Sequence, residues 1–323
     1  VVEGSGTSGR SRSGGGGRAV SVIEVEGLRK SYGDVEAVKG LSFSVDEGEV
    51  LAVLGPNGAG KTTTVEILEG YRERDGGEVH VLGMDPANGG IELRGRIGIV
   101  LQECGVDPFL TVSEVLRKHS EYYTHPRDVA EVISLVGLEQ KASARVKTLS
   151  GGQQRRLDVA LGLIGDPELL FLDEPTTGFD PSARRQAWEI VRNLGELGKT
   201  VLLTTHYMDE AQALADRVVV IAGGRIVAEG TPQSIGGRAE ADVSVEFRLP
   251  HGVGPADLPV AVDERADGTV RFATSEPTEV LPRLPSWARD RPGPIELDGL
   301  TVTRPSLEDV YLALTASEPE DAR

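Results

Sequence analysis

The stretch that decides the fold is Gly55-Pro56-Asn57-Gly58-Ala59-Gly60-Lys61-Thr62-Thr63. The apolar, β-favouring run Val50 to Leu54 precedes it, and helix-compatible residues from Thr64 to Leu68 follow it. This is the strand, glycine-rich loop and helix of a phosphate-binding loop, because glycines let N–H groups turn inward and a helix N-terminus attracts anions. We therefore expect a nucleotide triphosphate to bind here. The alternative is a flexible glycine turn, since the chain contains 41 Gly.

The residues at the end of this loop suit different parts of ATP and Mg²⁺. Lys61 is placed to reach the β- and γ-phosphates, the Thr62 hydroxyl to coordinate Mg²⁺, and Thr63 to hold the α-phosphate. The sequence therefore predicts ATP and Mg²⁺ as the bound groups. The remaining positions expected to line the nucleotide are Gly55, Pro56, Asn57, Gly58, Ala59 and Gly60.

A second polar feature follows a later apolar run. The run extends from Leu169 to Leu172, and Asp173, Glu174 and Pro175 come directly after it. Ligands of open α/β sheets bind at the carboxyl ends of strands. Asp173 is placed to join the Mg²⁺ shell beside Thr62, and Glu174 to accept a proton from water attacking the γ-phosphate. Successive strand residues point to opposite faces, so we expect the turn at Pro175 to bring Glu174 to the site. The alternative is an acidic turn that only caps a strand.

Two aromatic residues are further candidates for the nucleotide site. Tyr32 is expected in a loop between strands near residues 22–25 and 41–45, where its ring could stack on the purine. The alternative is a tyrosine that packs at an interface. His206 follows a strand predicted for residues 200–205 and is placed to donate to the γ-phosphate, although a lone histidine there is more often structural.

Composition limits the other classes of function. A length of 323 residues suggests two domains, and a net charge of −17 disfavours nucleic acid as a partner. No run approaches the roughly 18 apolar residues of a membrane span, so we expect no transmembrane segment and a cytosolic location. The single cysteine, Cys104, excludes an internal disulfide and is expected to be a bystander thiol. Residues 1–19 are rich in Gly, Ser and Arg, and we expect a disordered tail.

The middle of the chain is predicted to be helical. Apolar spacing over residues 112–123 and 127–136 indicates two helices of an inserted helical segment. The residues Leu149-Ser150-Gly151-Gly152-Gln153 follow, and helical periodicity continues to Ile164. Ser150 is placed to cap that helix.

After Thr231-Pro232 the chain becomes richer in proline, which marks a second module. We predict one domain over residues 20–234 and a small α+β domain over residues 235–323, with strands near 243–249 and 295–302 and a helix over 306–315. No catalytic constellation is evident in it. A dimer-stabilising or regulatory role and a substrate-sensing role are both open.

Together these residues resemble the ATP-binding subunit of an ABC transporter, over about residues 20–231. Its motifs occur in family order: Walker A at 55–62, the Q-loop at Gln102, the LSGGQ signature at 149–153, Walker B at 169–174, the D-loop at Asp180 and the switch histidine at His206. One departure is Phe179, which stands where Leu is more usual. It leaves the D-loop aspartate in place.

The resemblance implies a P-loop NTPase fold of the α/β class: an ABC cassette with a mixed sheet core, an antiparallel flank and a helical subdomain, followed by the small C-terminal α+β domain. It implies an ATPase with Glu174, His206 and Gln102 as catalytic residues, and adds Gln102 to Thr62 and Asp173 at the metal. It also implies a head-to-tail homodimer in which the signature of one copy closes over the nucleotide of the other. The residues given to that second half are Ser150, Gly151, Gly152, Gln153 and Asp180.

The expected partners are therefore a second copy of the chain and separate transmembrane permease subunits, with the cassette peripheral on the inner face of the cell membrane. The segment 305–312 resembles the C-terminal part of drug-resistance exporter ATPases of the daunorubicin type. It favours export of a drug-like or lipid-like compound. The alternative is a soluble, non-transport ABC ATPase acting on ribosomes or DNA, which would usually carry two cassettes or long coiled-coil insertions. A nucleotide-binding regulator without turnover would be expected to lack Glu174.

Overall fold

The computed structural model describes residues 20–100, 105–238, 240–265, 267–291 and 295–315. The tail predicted for residues 1–19, the Q-loop residue Gln102 and Cys104 lie outside these ranges. The strands of the first part of the chain are β1 (Ser21–Tyr32), β2 (Val35–Asp46), β3 (Val50–Leu54), β4 (Gly76–Val81), β5 (Ile97–Val100), β6 (Leu169–Asp173), β7 (Thr200–Thr205), β8 (Arg217–Ala222) and β9 (Arg225–Gly230). Its helices are α1 (Lys61–Leu68), α2 (Gly90–Arg96), α3 (Val112–Ser120), α4 (Val129–Leu135), α5 (Gly151–Leu163), α6 (Pro181–Glu196) and α7 (Met208–Leu214).

The central sheet has six strands in the order β5-β6-β7-β3-β8-β9, and only the pairing of β8 with β9 is antiparallel. Strands β3 and β7 are buried at every residue, as expected for parallel strands covered on both faces. Leu54 is paired with Thr205, and Asp173 with Thr204. The carboxyl ends of β3, β6 and β7 therefore lie side by side, which brings the phosphate loop, the carboxylates and His206 to one edge of the sheet.

A second, antiparallel sheet in the order β2-β1-β4 forms the predicted flank. The sequence prediction for Tyr32 was wrong in one respect. Tyr32 is the last residue of β1, whereas a loop had been expected, because β1 and β2 extend as a hairpin until the turn at Gly33 and Asp34. Gly33 has a φ of +59°, which the turn requires and glycine adopts easily.

The helical segment that follows β5 contains α3 and α4, which are shorter than the predicted helices. Helix α3 begins after Thr111, whose side chain accepts from the Glu114 N–H while the Glu114 carboxylate accepts from the Thr111 N–H. Helix α4 begins after Asp128, whose side chain accepts from the N–H groups of Ala130 and Glu131. These caps fix the starts of the helices, whereas apolar spacing alone does not.

The C-terminal part forms a small sheet in the order β11-β12-β10-β13 and packs it against short helices. Its elements are β10 (Val243–Arg248), β11 (Asp263–Glu264), β12 (Thr269–Thr274), α8 (Pro277–Val280), α9 (Arg283–Arg289), β13 (Thr301–Thr303) and α10 (Leu307–Thr315). Strands β10 and β12 and helix α9 share a separate core around Val245, Phe247 and Leu284.

Helix α10 returns to the first part of the chain. Its residues Leu307 and Tyr311 belong to the large hydrophobic core that also contains Ile235 and Leu214 of α7. Arg238 secures this return, because its Nε donates to the Pro305 carbonyl at 2.6 Å and its Nη1 to the Pro232 carbonyl at 2.7 Å. The division at residues 234 and 235 stays a prediction, and α10 ties its two sides together.

Within the described ranges, no helix has both the length and the apolar composition that crossing a bilayer would require.

Candidate functional site

The phosphate loop connects β3 directly to α1. Gly60 precedes the helix with a φ of +101°, and a Cβ at this position would lie 2.6 Å from the Ala37 carbonyl oxygen. The Gly55 N–H donates to the Thr205 carbonyl at 3.3 Å, which ties the start of the loop to β7. No side chain caps α1 and its first turn holds no acidic residue. Its first N–H groups are therefore free to hold an anion.

Lys61 lies inside this loop and is only 5% exposed. Its Nζ donates to the Gly55 carbonyl at 2.8 Å and to the Pro56 carbonyl at 3.1 Å, and lies 3.5 Å from Oε1 of Glu174. Burial lowers the pKa of Lys61, while the nearby carboxylates of Glu174 and Asp173 oppose that shift. The ammonium is thus held in the loop by carbonyls and by the residue predicted to be the base.

Glu174 reaches the site through its own backbone, at the start of the turn through Pro175, in which the Thr177 N–H donates to the Glu174 carbonyl at 3.3 Å. Its φ is +44°, in the left-handed region, which costs a non-glycine residue about 1–3 kcal/mol. The Glu174 N–H donates to the carbonyl and to the hydroxyl of Thr204, at 3.2 and 3.0 Å. This single left-handed residue turns the second carboxylate toward Lys61.

The Glu174 carboxylate contacts three polar groups. Thr177 Oγ1 donates to Oε2 at 3.0 Å, and His206 Nδ1 lies 3.2 Å from Oε1. Burial alone would raise the pKa of Glu174, but His206, Thr177 and Lys61 outweigh it and hold the pKa below its usual range. The carboxylate is therefore ionised at neutral pH, as a proton acceptor must be.

The structure describes two of the three predicted metal ligands, Thr62 and Asp173. Thr62 is exposed on the first turn of α1, and Asp173 at the end of β6 accepts a hydrogen bond from Thr204 Oγ1. Helix α1 packs against β6, so both oxygens lie near the loop, and hydroxyl and carboxylate oxygens suit Mg²⁺. The described residues thus fit the ion. Gln102 lies outside the described ranges, and its role stays a prediction.

Glu69, at the end of α1, is a buried carboxyl beside Asp173 that sequence reasoning did not single out. Burial, followed by the charges of Asp173 and Glu66, raises the pKa of Glu69 to about 8. At neutral pH it is therefore mostly protonated.

The two predicted aromatic residues contact different parts of the site. His206 contacts Glu174, as above, and its ring lies 4.0 Å from that of Tyr207, measured between centroids. Tyr32 is 42% exposed, and its hydroxyl lies 3.4 Å from Thr63 Oγ1. The Arg72 guanidinium lies 5.2 Å from the centre of the Tyr32 ring. Tyr32 therefore stands beside the loop, and both its stacking and its packing roles stay open.

The signature residues form a separate surface at the start of α5. The Ser150 side chain accepts from the Gln153 N–H, and the Gln153 side chain accepts from the Ser150 N–H at 3.0 Å, so the predicted cap is present. Asp180 likewise caps α6 by accepting from the N–H groups of Ser182 and Ala183. Together the two caps line a cavity of about 500 Å³, which we call the signature cavity; it includes Ser150, Gly151, Gly152, Gln153, Asp180 and Gln186.

The structure therefore brings the predicted residues together in two groups. The first contains the loop, Asp173, Glu174, His206 and Tyr32, and the second contains Ser150 to Gln153 with Asp180. Among the described residues, no hydrogen bond or ion pair joins Ser150–Gln153 to the phosphate loop.

Sequence reasoning missed three side chains that hold the carboxylates in place. Thr204 bonds to Asp173 and Glu174, Thr177 bonds to Glu174, and Arg155 donates to the carbonyls of Asp173 and Pro175. Thr204 left a signal, because a threonine pair ends a strand whose middle residues, Val201 to Leu203, are apolar. Thr177 and Arg155 left none, because their roles depend on tertiary contacts.

Comparison with known proteins agrees with this geometry. The sequence profile of the family described as ABC transporter matches residues 38–177, and a profile described as the C-terminal domain of ABC transporter domain-containing proteins matches residues 243–306. The chain is similar to Nod factor export ATP-binding protein I of Burkholderia orbicola (strain AU 1054), with 40% identity over 94% of this chain and 100% of that protein. The same-named protein of Ralstonia nicotianae is 41% identical over 93% of this chain and 95% of its own length. The daunorubicin-type resemblance of residues 305–312 stays a prediction.

Solved structures with the same fold include an ATP-binding cassette of an ABC transporter in its ADP conformation, with a TM-score of 0.59 and 26% identity over 66% of this chain and 91% of that one. A dimeric cassette in a post-hydrolysis state, bound to ADP and Pi, has a TM-score of 0.57 and 26% identity over 65% of this chain and 98% of that one. Because the relatives are about 40% identical over more than nine-tenths of the chain, the chain belongs to the ATP-binding proteins of the ABC transporter family and is an ABC-type ATPase.

Proposed function

We propose that this chain is the ATP-hydrolysing subunit of an ABC exporter and works as a head-to-tail dimer beneath a membrane permease. The observation that carries the proposal is the cluster of Lys61, Glu174 and His206 at the mouth of the phosphate loop. An ionised carboxylate with an ammonium 3.5 Å and an imidazole 3.2 Å from the same oxygen matches the groups that phosphoryl transfer to water needs.

Binding begins at the loop. The free N–H groups of α1 and the loop take the phosphates, while Lys61 exchanges its carbonyl partners for the β- and γ-phosphate oxygens. Thr63 is placed to hold the α-phosphate, and Tyr32 to stack on the base. Thr62, Asp173 and Gln102 would hold Mg²⁺, which supplies neutralisation of the charge that develops on the phosphate oxygens.

Hydrolysis then depends on Glu174. Its carboxylate accepts the proton of a water molecule as the water oxygen forms a bond to the γ-phosphorus and the bond to the β–γ bridging oxygen breaks. His206, which already contacts the same carboxylate oxygen, is placed to donate to the γ-phosphate and to orient the water. The products are ADP and phosphate, and the proton first rests on Glu174.

A second copy of the chain completes the site. Ser150 and Gly151 are exposed at the N-terminus of α5, which is an anion-binding end of a helix facing out of its own chain. In a two-fold head-to-tail dimer this end would meet the γ-phosphate held by the partner. The dimeric structure of a similar cassette bound to ADP and Pi supports a dimer of this chain.

The work of transport would lie in a separate permease. The relatives reported above are named for Nod factor export, which supports export as the direction. The cargo class that we propose is a drug-like or lipid-like compound. The cassette would then be cytoplasmic and peripheral on the inner face of the membrane.

The test is steady-state phosphate release by the purified chain with ATP and Mg²⁺, together with affinity purification from membranes of the native host. We expect ATP-dependent release of phosphate and recovery of a multi-spanning membrane protein. Recovery of ribosomes or DNA in its place would favour a non-transport ABC ATPase. Nucleotide binding without phosphate release would indicate a regulator.

A further inference from the structure

Arg155 connects α5, which we call the signature helix because it begins with the signature residues, to the residues on both sides of Glu174. It lies on α5, five residues after the cap Ser150, and is only 6% exposed. Its Nε donates to the Pro175 carbonyl at 3.0 Å, and its Nη2 to the Asp173 carbonyl at 3.3 Å. One guanidinium therefore binds a main-chain carbonyl on each side of the predicted base.

These two bonds act where the backbone is strained. A left-handed φ of +44° at Glu174 persists only if its surroundings fix it. The Glu174 N–H is fixed from β7 by Thr204, and the flanking carbonyls are fixed from α5 by Arg155. Asp158, one turn further along α5, lies 3.8 Å from Nη1 and helps to set the guanidinium. The turn is thus clamped between a sheet strand and the signature helix.

We propose that Arg155 is a positioning residue that sets the Glu174 carboxylate of its own chain and links it to the signature of the same chain. The proposal rests on the proposed function, because it assigns Glu174 as the base and Ser150 to the nucleotide of the partner. Helix α5 is a continuous 13-residue element, so it holds Arg155 at a fixed place relative to Ser150.

The first experiment compares Arg155→Met and Arg155→Lys with the parent in steady-state ATP hydrolysis by the full chain. Methionine keeps the apolar stem but removes every donor, and lysine keeps the charge but cannot span two carbonyls. We expect Arg155→Met to lower kcat by roughly tenfold to 10²-fold, as misplacement of a catalytic group does. The KM for ATP should stay within about twofold, because the phosphate loop is intact. The kcat of Arg155→Lys should lie between those of Arg155→Met and the parent.

Arg238→Met is the matched control. Arg238 also donates to two main-chain carbonyls, those of Pro305 and Pro232, but it does so away from Glu174. We expect it to lower the thermal midpoint at most, with kcat unchanged. An unchanged kcat for both Arg155 variants would overturn the proposal, and so would an equal loss of kcat in Arg238→Met. If Arg155→Met does not fold, Arg155→Lys provides the test, because it should also lower kcat while leaving the KM for ATP nearly unchanged.

The second experiment separates action on the same chain from action across the dimer. In each heterodimer, purified through two affinity tags, only one chain carries Glu174→Gln. The composite site that uses the base of the Glu174→Gln chain is inactive, and the retained site uses the base of the other chain. If that chain carries Ser150→Arg, the retained site still has an intact base and an intact signature, and its activity should match the parent paired with Glu174→Gln. If that chain carries Arg155→Met, the base of the retained site loses its clamp, and activity should fall as in the Arg155→Met homodimer.

Equal activity of the Ser150→Arg and Arg155→Met heterodimers would overturn the link to Glu174 of the same chain. Failure of the proposed function gives a different result, because Glu174→Gln homodimers would then hydrolyse ATP at the parental rate. The two failures are therefore distinguishable.

Discussion

The phosphate-loop cluster and the signature cavity are built in opposite ways. In the first, Lys61 and Glu174 are largely buried and paired with each other inside one chain. In the second, Ser150 and Asp180 cap their own helices and are otherwise exposed. A charge held inside a chain needs an internal counter-charge, whereas a helix end that faces outward is complementary to something else. The comparison teaches that half of the site is self-contained and half is made for a partner.

The largest expected effect would come from damaging each half separately. Lys61→Ala removes the charge facing the phosphates, and Ser150→Arg blocks closure by bulk and charge while sparing ATP binding. Both variants should lose phosphate release. When Lys61→Ala is mixed with an excess of Ser150→Arg, some activity should return, because one composite site of the heterodimer is then intact. Full activity of Ser150→Arg alone would mean that the site is complete within one chain.

Glu174→Gln should lower turnover by about 10²-fold or more, because glutamine keeps the shape but cannot accept a proton. ATP binding should persist, and an ATP-dependent dimer should accumulate in size-exclusion chromatography. The matched control is Glu168→Gln, a substitution of the glutamate that pairs with Arg96 at the opposite end of β6. If Glu174→Gln turned over at the parental rate, Glu174 would not be the base.

Tyr32→Ala sharpens the comparison at the edge of the self-contained half. Loss of stacking on a base costs about 1–3 kcal/mol, which corresponds to roughly a 5-fold to 150-fold rise in the ATP concentration needed. We expect kcat to change little, and a titration of phosphate release against ATP measures both quantities. Tyr32→Phe, which loses only the hydroxyl near Thr63, should stay close to the parent. An unchanged ATP requirement in Tyr32→Ala would favour the packing role.

The smallest effect on turnover is expected from Leu307→Ala. This variant tests whether a loss of stability alone lowers turnover as changes in the phosphate-loop cluster or the signature cavity do. Leu307 is buried in the core beside α7, so its truncation should cost about 2–5 kcal/mol of unfolding free energy. Leu312 on the same helix is 55% exposed, and Leu312→Ala should lie within about 0.5 kcal/mol of the parent. Urea unfolding measures the difference. A large loss of kcat below the unfolding transition would show that α10 acts on the site and not only on stability.

Much of this organisation could be predicted because local chemistry determines it. The strand, loop and helix around Lys61, the cap at Ser150 and the placing of His206 after β7 follow from glycine conformation, capping and strand polarity. The left-handed backbone of Glu174 could not be predicted, because it depends on Thr204 and Arg155, which are distant in sequence. Tyr32 was assigned to a loop because alternation does not reveal how far a hairpin extends. The return of α10 was also hidden, since an amphipathic helix does not say which surface it covers.

That return makes the small domain an insertion and not a tail. It leaves the cassette after Arg238 and re-enters at Leu307, and its first and last strands are neighbours, with Ser244 paired to Thr303. Cutting the chain at residue 234 would uncover the apolar side of α7 that Leu307 and Tyr311 occupy. A short turn between residues 242 and 304 would instead remove the domain and keep α10 in place, because the two points adjoin the paired ends of β10 and β13. The same two points are where the domain of a relative could be exchanged for this one.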